Sequence, residues 1–166
     1  MRGVATRAPS LADYVALAAV AVMAVSAAYE AAVALKWIPV GRVSGEGARF
    51  EGIFLAAGGL AMLAGIITSL FLAVANRRWT PGVLLAAVAA ALVAAHAYTF
   101  DTYRLPSLVR NTESGVLPSA TWVGWIVAAG LLSSLFSLMF PRIGFVLTSA
   151  VLVVCFFTFW FTGCCN

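Results

Sequence analysis

Charge is what this chain has least of. Only 10% of its 166 residues are Asp, Glu, Lys or Arg, against 63% hydrophobic, which leaves too little polar surface for a water-soluble globule of this length. The ten basic and six acidic residues are scattered between apolar runs rather than gathered into a basic stripe, so nucleic acid is not an expected partner. Histidine is nearly absent: His96 stands alone, and haem ligation by two histidines would need another chain. The three cysteines, Cys155, Cys164 and Cys165, form no CxxC pair and have no second histidine to complete a zinc set. A prenylation box fails as well, because the fourth residue from the end is Gly163. There is no nucleophile elbow, no phosphate-binding glycine loop and no HExxH. We therefore assign no catalytic, cofactor-binding or metal-binding residue, expect no cofactor, and rank a membrane enzyme last among functional classes.

What the chain has instead is long apolar runs. About 20 apolar residues span a hydrocarbon core of about 30 Å as a helix, and the sequence offers five such stretches. We expect an all-α bundle of five transmembrane helices, at about 11–38, 51–76, 81–100, 121–140 and 143–162, with residues 1–166 as a single transmembrane domain. The first run, which continues to Ile38, is expected to be a retained helix rather than a cleaved secretory signal. Pro39 and Gly41 stop it, and the polar stretch PVGRVSGEGARF is expected to connect it to the second helix. Trp79, Pro81 and Gly82 turn the chain into the third, and FPRIG turns it between the fourth and fifth.

Side-chain size distinguishes the helices. The second carries Ala57, Ala61, Gly65 and Ser69 at four-residue spacing, a small-residue face that lets a neighbouring backbone approach closely, so we place it in the interior. The third is thin almost all round, with runs such as Ala89, Ala90 and Ala91, and can be surrounded closely. The fifth, built from Val, Leu, Phe and Thr with few small residues, is expected at the periphery, facing lipid or a partner.

Two polar residues stand out against this background. Glu30 lies inside an apolar helix, where an unpaired carboxylate is costly. Helical steps place Met23, Ser26 and Ala27 on its face, so it should point inward. His96 lies about one turn before the end of the third helix. Because the first and third helices share a direction, Glu30 and His96 come out near a common depth. The pair reads either as an interhelical hydrogen bond or as a proton or cation site. Between the third and fourth helices runs the longest polar connection, with Asp101, Arg104, Arg110 and Glu113 outside the apolar runs; it reads equally as a docking loop or as a solvated one.

These features rank the functions. The expectation is a non-catalytic accessory or assembly subunit of a larger membrane complex, packing through small-residue faces and the 101–118 loop. The alternative is a small transporter or channel subunit that uses Glu30 near His96. The expected partners are the lipid bilayer and other membrane protein subunits, in a bacterial or archaeal cytoplasmic membrane or an organellar one. Basic residues divide evenly between the two sides, but Arg2, Arg7, Arg77, Arg78 and Arg142 sit in the shorter segments with almost no acid. That favours a cytoplasmic N-terminus and a C-terminus on the opposite side.

Overall fold

A computed structural model describes residues 8–35, 37–38, 46–77, 79–103 and 120–164. These form five α-helices and, among the described residues, no strand: α1 (Leu11–Ala34), α2 (Glu46–Ala75), α3 (Thr80–Tyr103), α4 (Ala120–Met139) and α5 (Pro141–Cys164). Each contains a stretch long and apolar enough to cross a membrane, and the protein is a membrane-embedded all-α bundle. Its outer surface is correspondingly apolar, with Leu60, Val74 and Trp125 among the most exposed side chains.

Several boundaries differ from the hydropathy reading, each for a reason of backbone chemistry. α1 ends at Ala34 rather than Ile38. The amides of Trp37 and Ile38 reach back five and six residues to the Ala32 carbonyl, a wider closure than the helical bond, just ahead of Pro39, which disfavours helix in the residue before it. α2 begins at Glu46, because charged residues outside the bilayer do not prevent helix; only its stretch from Gly52 to Val74 is apolar. α3 likewise continues through Asp101 to Tyr103. FPRIG is hardly a loop at all. Pro141 is the first residue of α5 and Phe140 alone separates it from α4; proline suits a first helical position, where its missing N–H leaves nothing unsatisfied. The reversal is tight enough that a Cβ on Gly144 would collide with the backbone of Ser137, so position 144 must be glycine.

The helices form a ring in the order α1, α3, α4, α5, α2, closed by α1 against α2, with α3 also packed against α5 across the middle. The consecutive helices α2 and α3 touch only slightly. α3 is the centre: 56% of its membrane span is buried, against 28% for α1 and for α4. Its small residues make that position available, since Ala86 and Ala90 stand so close to α4 that a Cβ on Gly130 would lie 2.8 Å from the Ala86 carbonyl oxygen.

The fifth helix is not peripheral. With 39% of its span buried it exceeds α2 at 33%, and it places Phe145, Thr148, Leu152, Cys155 and Phe159 in the core. In lipid, bulky side chains gain nothing by hiding from solvent, so size gives no warning of which helix is inside; close packing and polar contacts decide. One such contact joins α5 to α4, where the hydroxyls of Ser137 and Thr148 lie 3.4 Å apart in the core.

Candidate functional site

The inward stripe of α1 runs Asp13, Ala16, Ala19, Met23, Ser26, Glu30 and Val33, the three- and four-residue steps of one helical face. It carries an acid near each end. At the level of Glu30 four helices converge. α3 is fastened there by Thr99, whose hydroxyl lies 2.8 Å from the Glu30 carbonyl and 2.9 Å from that of Ala95, sharing one proton between them. α2 is held by the Ser26 hydroxyl, which donates to the Phe54 carbonyl at 3.3 Å, and by Tyr29 stacked on the Phe54 ring at 4.2 Å. α5 contributes Phe159, whose ring centre is 4.8 Å from that of His96.

His96 is one turn before Thr99 and so faces α1. Its Nδ1 lies 3.4 Å from Glu30 Oε1, and each side chain is 2% exposed. The contact is close but not an aligned hydrogen bond, and Oε2 accepts no hydrogen bond from any described residue. In so dry a place the stable arrangements are net neutral: protonated histidine beside carboxylate, or neutral histidine beside carboxylic acid.

The other marked residues fall elsewhere. Ala61, Gly65 and Ser69 are buried and Ala57 is half-buried; a Cβ on Gly65 would stand 3.3 Å from both Leu85 and Leu152, so this face meets α3 and α5. Ser69 bonds to the Ile66 carbonyl of its own helix, away from Glu30. Asp101 lies within α3, although its side chain is not among those described; Arg104, Arg110 and Glu113 lie outside the described residues. Among the described residues no three His, Cys, Asp or Glu side chains gather as a metal set.

A second buried acid escaped the sequence reading. Asp13, 1% exposed, accepts the Ser10 hydroxyl at 2.7 Å, the Ser10 backbone N–H, and the Arg77 guanidinium at 2.6 Å, all on Oδ2. Arg77 arrives there because Asn76 adopts a left-handed conformation at φ 49° and closes α2, with the Arg77 amide bonded to the Leu72 carbonyl and the Asn76 amide to that of Ala73. Seventeen residues separate it from Glu30, about 100° round an ideal helix, so spacing from Glu30 did not mark it.

Comparison with protein-family models, with curated proteins and with solved structures finds no match. The functional reading rests on this geometry alone.

Proposed function

We propose that the chain is a non-catalytic accessory or assembly subunit of a larger membrane complex. The observation that carries this reading is the outer face of α4. Trp122, Trp125, Leu132, Leu135 and Phe136 are all exposed on it, and beside Trp125 a Cβ on Gly124 would meet nothing within 4 Å. Aromatic anchors around a bare stretch of backbone let a second helix approach closely. Purifying the untagged assembly in mild detergent and identifying its companions tests this, with Gly124→Cys as a crosslinking handle. A companion membrane subunit captured through position 124 is expected. A lone, homogeneous oligomer with an internal water path overturns the reading.

A second reading, a small transporter or channel subunit, is favoured by the buried Glu30 and His96. Under it, Glu30→Gln abolishes activity while assembly survives; under the subunit reading, Glu30→Gln leaves both assembly and the activity of the complex in place. For location we propose a bacterial or archaeal cytoplasmic membrane or an organellar one, with the N-terminus cytoplasmic. Five spans require Met1 and Asn166 on opposite faces, and labelling of single cysteines introduced at each end reports it.

A further inference from the structure

Between the start of α1 and the end of α2 a groove of about 560 Å³ opens toward lipid, within the ~300–1,000 Å³ range of small-molecule sites. Leu11, Ile67 and Phe71 are exposed along it, so it is entered from the bilayer. On α2 it runs from Ala64 to Ala75, ~16 Å at ~1.5 Å per residue and about half of a ~30 Å hydrocarbon core. Toward the other end of the two helices they are joined, by the Ser26 hydroxyl on the Phe54 carbonyl and by Tyr29 stacked on Phe54. The groove is therefore one leaflet deep. Its interior offers no free polar side chain, since the Thr68 hydroxyl donates to the Ala64 and Gly65 carbonyls of its own helix. Charge stands only at the outer end, where Arg77 lines the groove just past Val74, the last residue of the apolar span of α2.

We propose that this groove holds one acidic phospholipid of the bilayer, with an acyl chain between α1 and α2 and the phosphate on Arg77. Depth argues against a partner helix, which would run the full thickness of the core. Charge selects the headgroup. Arg77 is partly exposed and reaches Asp13 and the Ala8 carbonyl through Nη1 alone. A guanidinium carries five N–H donors in a planar fork, so one edge can hold a carboxylate while another holds a phosphate. Asp13 sits buried behind Arg77 and does not line the groove. The balance of charge in the segments that meet here stays positive: residues 1–13 and 76–82 carry Arg2, Arg7, Arg77 and Arg78 against Asp13 as the one acid. A zwitterionic lipid adds a cation of its own to that excess, whereas an acidic lipid offsets it. Leu11 and Ala12, in the first turn of α1, line the same end, and their backbone N–H groups have no acceptor within the helix. In the orientation proposed above, this end meets the cytoplasmic leaflet, which is the anionic one. The site is independent of the α4 face invoked for assembly and of the Glu30–His96 pair.

The test offers the full chain, in a non-ionic detergent, equal amounts of phosphatidylglycerol and phosphatidylcholine with identical dioleoyl chains, and counts the retained lipids by native mass spectrometry. One phosphatidylglycerol per chain is expected, preferred about fivefold or more, since one arginine near a membrane surface is worth about 1 kcal/mol toward an anionic lipid. Excess inorganic phosphate should leave it in place, because phosphate without a chain does not fill the groove. Ile67→Trp, which fills the groove from an exposed position, should lower retention of both lipids with little change in thermal stability. Asp13→Asn combined with Arg77→Gln, which puts a neutral pair in place of the charged one, should abolish the preference while a lipid is still retained. If the double variant does not fold, Ile67→Trp and the phosphate competition decide. Equal retention of the two lipids by the unaltered chain, displacement by inorganic phosphate, a lipid-free dimer, unchanged retention in Ile67→Trp or an unchanged preference in the folded double variant overturns the proposal.

Discussion

The two ends of α1 handle the same problem in opposite ways. Asp13 and Glu30 lie on one face of one helix, about 26 Å apart along its axis at ~1.5 Å per residue, and each is 1% exposed. Asp13 sits in the first turn, where backbone N–H groups are still free and the helix dipole favours an acid, and it gathers three donors. Glu30 sits deep inside the helix, where every backbone N–H is committed to the turn before it. Its carboxylate can be served only by another helix, and among the described residues the group nearest to doing so is His96, imperfectly aligned at 3.4 Å. A buried acid at a helix start becomes a structural fastening; a buried acid in a helix interior depends on what a neighbouring helix brings to it.

Thermal unfolding in a mild detergent can break or sharpen that contrast. The largest effect is expected from Arg77→Ala, which strips Asp13 of its counter-charge. We expect about 2–3 kcal/mol, below the ~3–5 kcal/mol of a fully buried pair because Arg77 is partly exposed. A loss under about 0.5 kcal/mol, within the usual range of surface changes, removes the claim that this end is a fastening.

Between the ends, Gly65→Leu should cost about 2 kcal/mol by overpacking against Leu85 and Leu152. Val151→Leu, at a half-buried position of α5, should cost markedly less in the same assay. Equal tolerance of the two means that the midsection is too loose to transmit any difference between the ends.

Neutralising the acids gives the sharpest comparison. Asp13→Asn should destabilise by about 1–2 kcal/mol through loss of a charged hydrogen-bonded pair. Glu30→Gln, which breaks no aligned hydrogen bond, should change stability by no more than about 0.5 kcal/mol in either direction. If Glu30→Gln proves the costlier of the two, the contrast is inverted. A comparably small effect is expected from Thr99→Val, which removes one interhelical hydrogen bond of a kind worth about 0.6 kcal/mol in membranes. No measurable shift there means that the Ala95 carbonyl already takes the proton.

The five spans were legible because a membrane helix must be apolar along its whole length. The depth match of Glu30 and His96 was legible too, since rise per residue converts position into height. Helix ends were not: Glu46 to Phe50 and Asp101 to Tyr103 are polar yet helical, and polarity marks the bilayer boundary rather than the helix boundary. The burial of α5 was hidden because Phe145, Leu152 and Phe159 look the same whether they face lipid or protein. The pairing of Asp13 with Arg77 spans two helices and depends on the left-handed turn at Asn76, which local pattern does not reveal. The contact of Phe159 with His96 had no signal at all, since it joins two helices whose pairing the pattern does not show.

The single residue between α4 and α5 has a mechanical consequence. With only Phe140 outside helical structure, and with Gly144 pressed against the Ser137 backbone, no slack exists for one helix to slide, roll or tilt without the other. The two must move as a stiff lever, fulcrumed where Pro141 starts its helix and held below by the bond between Ser137 and Thr148. Any displacement of α5 therefore swings the outer face of α4 through the same arc, so a partner bound to α4 would feel it.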